Sequence, residues 1–170
     1  VATSVADTTL AINRRAQRSG SLRDGRDPAT LVPPVAHALD VKTANGRAVL
    51  VHYACHPVVL GGSNQLISAE WPGVAMCHIE ESAAADLAMF VNGACGDLNP
   101  QWGNADFDTV EQAGLLVGEA VVANLSSGQP VSDTGLAASY ERIDLPLMDP
   151  PSSLRTVTGA SLDALKLAIK

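Results

Sequence analysis

Ala48-Val49-Leu50-Val51-His52-Tyr53-Ala54-Cys55-His56-Pro57 is the stretch on which the fold turns. Its start is a near-continuous apolar, β-rich run, which predicts a strand from about Ala48 to Ala54. Pro57 follows and keeps His56 out of helical geometry. Upstream, Val35, His37, Leu39 and Val41 alternate with Ala36, Ala38 and Asp40, a second strand pattern. Asn45-Gly46 lies between the two runs and predicts a hairpin. Downstream, Gly61 to Leu66 reads as a loop. Pro72 to Ala85 reads as a helix, with Glu70 or Trp71 near its start and Pro72 at an early helical position. Asp86 to Val91 is a short apolar strand, and Gly93 to Asn104 is a Gly, Asn and Asp loop. Asp108 to Leu125 is a long helix with Val110, Ala113, Leu116, Val117, Ala120 and Val121 on one face.

Strand, helix, strand, helix in that order is a βαβα unit, which implies parallel strands and a right-handed crossover. The expected fold class is therefore α/β: a mixed, largely parallel sheet flanked by helices. Sites on such sheets collect beyond the carboxyl ends of the strands. That rule selects the loop carrying His56 and the loop from Asn92 to Asn99. The outer segments are less regular. Ser19 to Pro34 reads as a loop or arm rich in Arg, Asp, Gly and Pro. Gly128 to Gly135 is a turn region, and Leu136 to Leu147 a strand with Ile143, Leu145 and Leu147 on one side. Pro150 and Pro151 break it, and Ser161 caps a last amphipathic helix through Ile169.

With 170 residues, the chain is expected to form a single α/β domain, 1–170, or a fragment of one. The net charge of -7, with 11 Lys and Arg, argues against a nucleic-acid partner, because phosphate binding needs clustered bases. Cys55, Cys77 and Cys95 show neither CxxC spacing nor the density of a disulfide scaffold, and read as small buried thiols. No apolar run is long enough to span a membrane. Val1 to Thr9 has no signal-peptide pattern. The missing initial Met and the helix-like end fit a fragment or processed piece, so the compartment stays open.

Several short pieces could carry chemistry. His52 and His56 are spaced HxxxH. On a helix that would be a metal pair, but four residues of strand span roughly 13 Å. At most one of them can serve a given ion, and His56, at the strand's carboxyl end, is the better placed. It is either a ligand or a satisfied structural histidine. Asn92-Gly93-Ala94-Cys95-Gly96-Asp97-Leu98-Asn99-Pro100 either orients a ligand or water through Asp97 and Asn99, or closes a structural Asx turn. In Ser68-Ala69-Glu70-Trp71-Pro72-Gly73, Ser68 reads as a helix cap. Glu70 either complements the helix dipole or supports a metal-bound imidazole. Asn13-Arg14-Arg15 is either a clamp for an anion or carbonyl oxygen or a solvated basic patch.

Taken together, Ile12-Asn13-Arg14-Arg15, Tyr53-Ala54-Cys55-His56-Pro57, Ile67 to Gly73 and Asn92 to Pro100 resemble, in this order, the neutral/alkaline non-lysosomal ceramidase family. The likeness runs from about Ala11 to Pro100 and more weakly to about Leu147. It implies that the chain is part of a larger catalytic domain of a zinc-dependent amidase that cleaves the amide between a fatty acid and sphingosine. The substrate would be a small-molecule or lipid amide, and family members are often secreted. Their zinc is held by two histidines, a glutamate and a tyrosine. His56 matches the second histidine, the one in the His-Pro motif, and Arg14 matches an arginine near the scissile amide. The resemblance thus implies catalytic roles for Arg14, Asp97 and Asn99, a zinc ligand in His56, and supporting or substrate-binding roles for Asn13, Glu70 and Asn92.

Two departures qualify the likeness. The family's ceramidases carry Gly-Asp-x-Ser-Pro, with a catalytic role given to the serine. Asn99 stands at that place and cannot be a nucleophile, so another amide or ester is a plausible substrate. The family's first histidine lies upstream of the Asn-Arg motif, and its glutamate and tyrosine lie well downstream, so the zinc site of this chain is expected to be incomplete. His37 and His78 match no family ligand. The alternative is a non-catalytic α/β domain that binds a partner or a lipid-like ligand.

Overall fold

The computed structural model describes residues 1–18, 21–27, 32, 35–83, 85–101, 103–132, 135 and 137–144. The chain divides into two compact units, Val1–Thr134 and Gly135–Lys170. In the first, strands β1 (Ala2–Asp7), β2 (Ala11–Arg18), β3 (Ser21–Asp27), β4 (Val35–Thr43) and β5 (Gly46–Tyr53) precede helix α1 (Glu70–Ala83). Then come β6 (Leu87–Asn92), β7 (Leu98–Pro100), α2 (Phe107–Leu125) and β8 (Gln129–Pro130). One sheet has the order β6-β5-β4-β1-β8 and a second the order β3-β2-β7.

The βαβ unit is present. β5 and β6 pair in parallel from Ala48↔Leu87 to Tyr53↔Asn92, and α1 connects them. The remaining pairings of the larger sheet, β4 with β5, β1 with β4 and β1 with β8, are antiparallel. The sheet is therefore mixed rather than largely parallel. The reason is local: a hairpin joins β4 to β5, and a hairpin can only make antiparallel neighbours. Its turn sits one residue earlier than Asn45-Gly46 suggests, since Thr43 pairs with Gly46 across Ala44 and Asn45. Thr43 Oγ1 accepts from the Asn45 amide at 3.1 Å and donates to the Gly46 carbonyl at 3.0 Å, fastening the turn.

Both helices cover one face of the sheet. Val49, Val51 and Tyr53 of β5, Ala36 and Ala38 of β4 and Ala88 of β6 are buried beneath Trp71, Ala75 and Ile79 of α1 and Val110, Ala113, Val117 and Val121 of α2. The small residues of β4 are thus the buried ones, leaving room for the helices. Trp71 fills the junction, its ring edge-on to Tyr53 at 5.9 Å and to Phe90 at 5.0 Å. A methyl group at Gly114 would lie 2.4 Å from Val74 Cβ, so glycine there sets how closely α1 and α2 approach. Asp40, on the buried face, is paired with Arg47 through two contacts of 2.9 Å. Arg47 also donates to the Ala83 carbonyl, tying the end of α1 to the sheet. On the opposite face Val5, Leu87, Met89 and Val91 are exposed.

Sequence patterning misplaced several outer segments. β3, which pairs with β2, occupies part of the region from Ser19 to Pro34 that reads as a loop or arm. β1, β2, β7 and β8 had no strand assignment. In the second unit, residues 137–144 carry no regular secondary structure, where a strand from Leu136 to Leu147 was expected. The expected helix from Ser161 to Ile169 lies outside the described residues. Among those described, no helix is long and apolar enough to cross a membrane.

Candidate functional site

Beyond the carboxyl end of β5, the motifs picked out in the sequence meet. Tyr53, the last residue of β5, is fully buried. Its hydroxyl oxygen accepts from the Ala11 amide at 2.9 Å, and its carbonyl accepts from the Gly93 amide at 3.0 Å. One side chain and its own backbone thus fix the start of β2 and the start of the loop after β6. Burial pushes the Tyr53 hydroxyl up to about 12, so it stays neutral at physiological pH.

His56 is half-buried and held on three sides. Its amide donates to the Leu98 carbonyl at 3.0 Å. Its carbonyl accepts from the Trp71 indole at 3.2 Å. Its ring Nδ1 lies 3.4 Å from Cys95 Sγ. Backbone and ring are therefore both set by other motifs. Cys55, beside it, is buried, and desolvation pushes its thiol well above the ordinary range.

The Asn-Arg motif reaches the same place through β2 and β7, which pair as Ala11↔Pro100, Ile12↔Asn99 and Asn13↔Leu98. The Arg14 amide donates to the Asp97 carbonyl at 2.7 Å. Its guanidinium grips the Gly96 carbonyl through Nε at 3.1 Å and Nη2 at 2.9 Å. Asn13 is buried, and its side-chain oxygen accepts from the Arg15 amide at 2.6 Å. That is the local Asx arrangement, beside the register shift in β2. Asn99 Oδ1 is buried and has no hydrogen-bond partner among the described residues. Asp97 and Asn92 are exposed, and Asn92 ends β6 opposite Tyr53.

Glu70 lies in the first turn of α1, where its charge complements the helix dipole, and it joins the cluster through bonds that neither reading includes. It opens α1 with φ of 55°, a left-handed conformation that side chains rarely adopt. Its carboxylate accepts from the Val59 amide at 3.1 Å and the Leu60 amide at 2.8 Å. Ser68 Oγ accepts from the Glu70 amide at 2.9 Å, a local turn just before α1, whose first helical bond is accepted by the Ala69 carbonyl and not at Ser68. Glu70 thus clamps the chain just after His56-Pro57 and makes no described bond to the imidazole.

His52 faces the other side of the sheet. It stands directly across from His37, with ring centroids 6.1 Å apart. Its isolation is less complete than its face suggests, because a Cβ on Gly93 would lie 2.9 Å from His52 Nε2. Cys95 is the residue that sequence reasoning missed. It read as a buried thiol but is half-exposed and touches His56. Its position in the loop after β6 was the available signal. A cleft of about 600 Å³ opens elsewhere, between the starts of α1 and α2, and neither His56 nor Asn99 lines it.

Among the described residues no group of three or more His, Cys, Asp or Glu is placed to hold a metal ion. What the cluster offers is one adjacent pair of donor atoms, His56 Nδ1 and Cys95 Sγ. Their separation of 3.4 Å is that of a hydrogen bond between thiol and imidazole.

This architecture has counterparts among solved proteins. The chain is similar in fold to neutral ceramidase from Pseudomonas aeruginosa, with a TM-score of 0.56 and 20% identity over 74% of this chain and 22% of that one. It is likewise similar to a ceramidase complexed with C2, with a TM-score of 0.55 and the same 20% identity over 74% of this chain and 22% of that one. No protein-family model and no curated protein matches the sequence. The chain therefore has a mixed α/β fold of the kind found in ceramidases, and it spans about a fifth of their length.

Proposed function

We propose that this chain forms the His-Pro part of the catalytic centre of a zinc-dependent hydrolase that cleaves an amide bond of ceramide-like type, with an activated water as nucleophile. The observation that carries the reading is the convergence on His56. Three other sequence motifs, separate from it in the chain, are tied to that residue or to the loops that hold it. A purely structural histidine needs no such arrangement. The ceramidase-like fold supports the same reading.

Bound zinc with an open position would supply a water of lowered pKa and polarise the scissile carbonyl. The chain's own residues have separate tasks. His56 presents a ring whose backbone is held by Leu98 and Trp71. Arg14 shapes the Asp97 loop by holding the Gly96 carbonyl. Asn99 brings a buried, unpaired amide oxygen. Leaving such an acceptor unmet costs about 1–3 kcal/mol, and an amide N–H from a substrate would meet it. An acceptor suits an amide better than an ester, which has no N–H to give. In this proposal the remaining zinc ligands come from outside the 170 residues.

A second reading draws on the exposed Val5, Leu87, Met89 and Val91. Leu87, Met89 and Val91 give the β6 edge of that face an apolar surface of the kind that a partner or lipid-like ligand covers, while His37 and His52 separate it from Val5. The two readings separate on Asn99→Ala in the whole protein. Hydrolysis of acyl-amide substrates should fall while zinc content is unchanged. No hydrolysis by the zinc-loaded protein over a range of acyl amides would favour the non-catalytic reading.

A further inference from the structure

An imidazole that binds a metal through one nitrogen donates the N–H of the other to a neighbour, and that bond fixes the ring. The sequence offers Glu70 as such a neighbour for His56, but its carboxylate is occupied by the Val59 and Leu60 amides. The group that touches the ring is Cys95, whose Sγ lies 3.4 Å from Nδ1, at hydrogen-bond distance. Backbone bonds hold both partners in place. The Leu98 amide donates to the Cys95 carbonyl at 2.9 Å, and the His56 amide donates to the Leu98 carbonyl at 3.0 Å. Arg14, on β2, grips the carbonyl of Gly96, the next residue in the loop. The loop cannot carry the sulfur away from the ring without breaking bonds to β2 and to His56 itself.

We infer that Cys95 is a positioning residue for His56: its sulfur accepts from Nδ1–H and so fixes the tautomer whose lone pair is on Nε2. The inference rests on the metal-dependent reading of His56 and adds no ligand to it. The direction of the bond follows from the chemistry of the ring. The sulfur stands against Nδ1, so an ion has the Nε2 lone pair to take. A neutral ring that offers Nε2 carries its proton on Nδ1. That proton needs an acceptor, and sulfur is a weak one that the loop puts within reach. Which ring nitrogen carries the proton is set by the bond the other makes, so Cys95 decides which nitrogen His56 presents.

The tautomer can be read without any metal. Long-range nitrogen–proton NMR of the full chain, at about pH 8 where a free imidazole is neutral, distinguishes the two ring nitrogens. His56 should show Nδ1–H, the reverse of the Nε2–H form that a free neutral histidine side chain favours. Cys95→Ala should return the ring toward Nε2–H, and Cys77→Ala, at an exposed position on α1, should not. In the whole protein, Cys95→Ala should also weaken zinc binding by about 10- to 100-fold, measured by equilibrium dialysis against a zinc-buffering chelator. An Nε2–H tautomer in the parent, or an Nδ1–H tautomer that survives Cys95→Ala, overturns the role of the sulfur and leaves the metal-dependent reading standing. So does zinc binding that His56→Ala weakens and Cys95→Ala does not. Zinc binding that His56→Ala leaves unchanged overturns both.

Discussion

Replacing Glu70 with alanine should loosen the loop that follows His56 and destabilise the first unit by about 2–4 kcal/mol. The magnitude comes from the two bonds of the Glu70 carboxylate, to the Val59 amide at 3.1 Å and the Leu60 amide at 2.8 Å. Val59 and Leu60 are both buried. Each stranded amide costs about 1–3 kcal/mol, and water reaching the half-buried Glu70 position recovers part of the sum. Glu70→Gln keeps one acceptor oxygen and should cost about half as much. Glu70→Gly loses the same bonds as alanine but relieves the left-handed backbone at φ of 55°, so it should be about 1 kcal/mol more stable than alanine. Urea unfolding of the four proteins reads these differences directly, and the alanine variant's midpoint should fall with its m-value unchanged. Thermal unfolding should show a drop of about 5–10 °C. An alanine variant within about 0.5 kcal/mol of the parent, or a glycine variant less stable than alanine, would refute the clamp.

Gly114→Ala should destabilise by about 1–3 kcal/mol, although alanine is the better helix former by about 1 kcal/mol, because the methyl would meet Val74 at 2.4 Å; chemical denaturation measures it, and a stabilised variant would contradict the close approach of the helices. The Arg47 guanidinium beside Asp40 holds that carboxyl below its ordinary range. Its folded value is depressed, so the stabilisation is complete above the unfolded value of about 3.9 and is lost as the pH falls below about 4. Asp40→Asn should therefore cost stability at pH 7 and flatten the acid limb of a stability–pH profile, read by denaturation between about pH 2 and 7. Toward an aromatic disulfide reagent, Cys77 should react first, Cys95 more slowly and Cys55 only on unfolding, following their exposure and the raised thiol of Cys55.

The central unit was legible because its signals are local. The apolar run from Ala48 to Ala54, Pro72 at the head of α1 and the apolar face of α2 each follow from a short window of sequence. The proportion of parallel pairing was legible only in part: Asn45-Gly46 signals the antiparallel β4–β5 hairpin, but β1 arrives beside β4 from an earlier, separate segment. β2, with its Asn-Arg-Arg run, carries charge where a strand pattern wants alternation, and its pairing with β7 supplies what its own sequence lacks. At the site, the motifs were visible but their wiring was not. Glu70 reads as a helix-dipole or imidazole partner, and its first-turn position in α1 fits the former. Its actual partners, the Val59 and Leu60 amides, are backbone groups that no residue pattern advertises. Cys95 escaped notice because a single cysteine between small residues is ordinary until folding sets it against His56.

The central claim is that His56 is a metal ligand at the core of a hydrolytic site, and the most direct measurement is zinc content alongside acyl-amide hydrolysis for the whole protein and its His56→Ala variant. The variant should unfold at the same denaturant midpoint as metal-free parent protein. It should lose bound zinc after dialysis and lose hydrolysis with it. A His56→Ala protein that keeps full zinc content and full activity would contradict the account and make His56 an ordinary structural histidine.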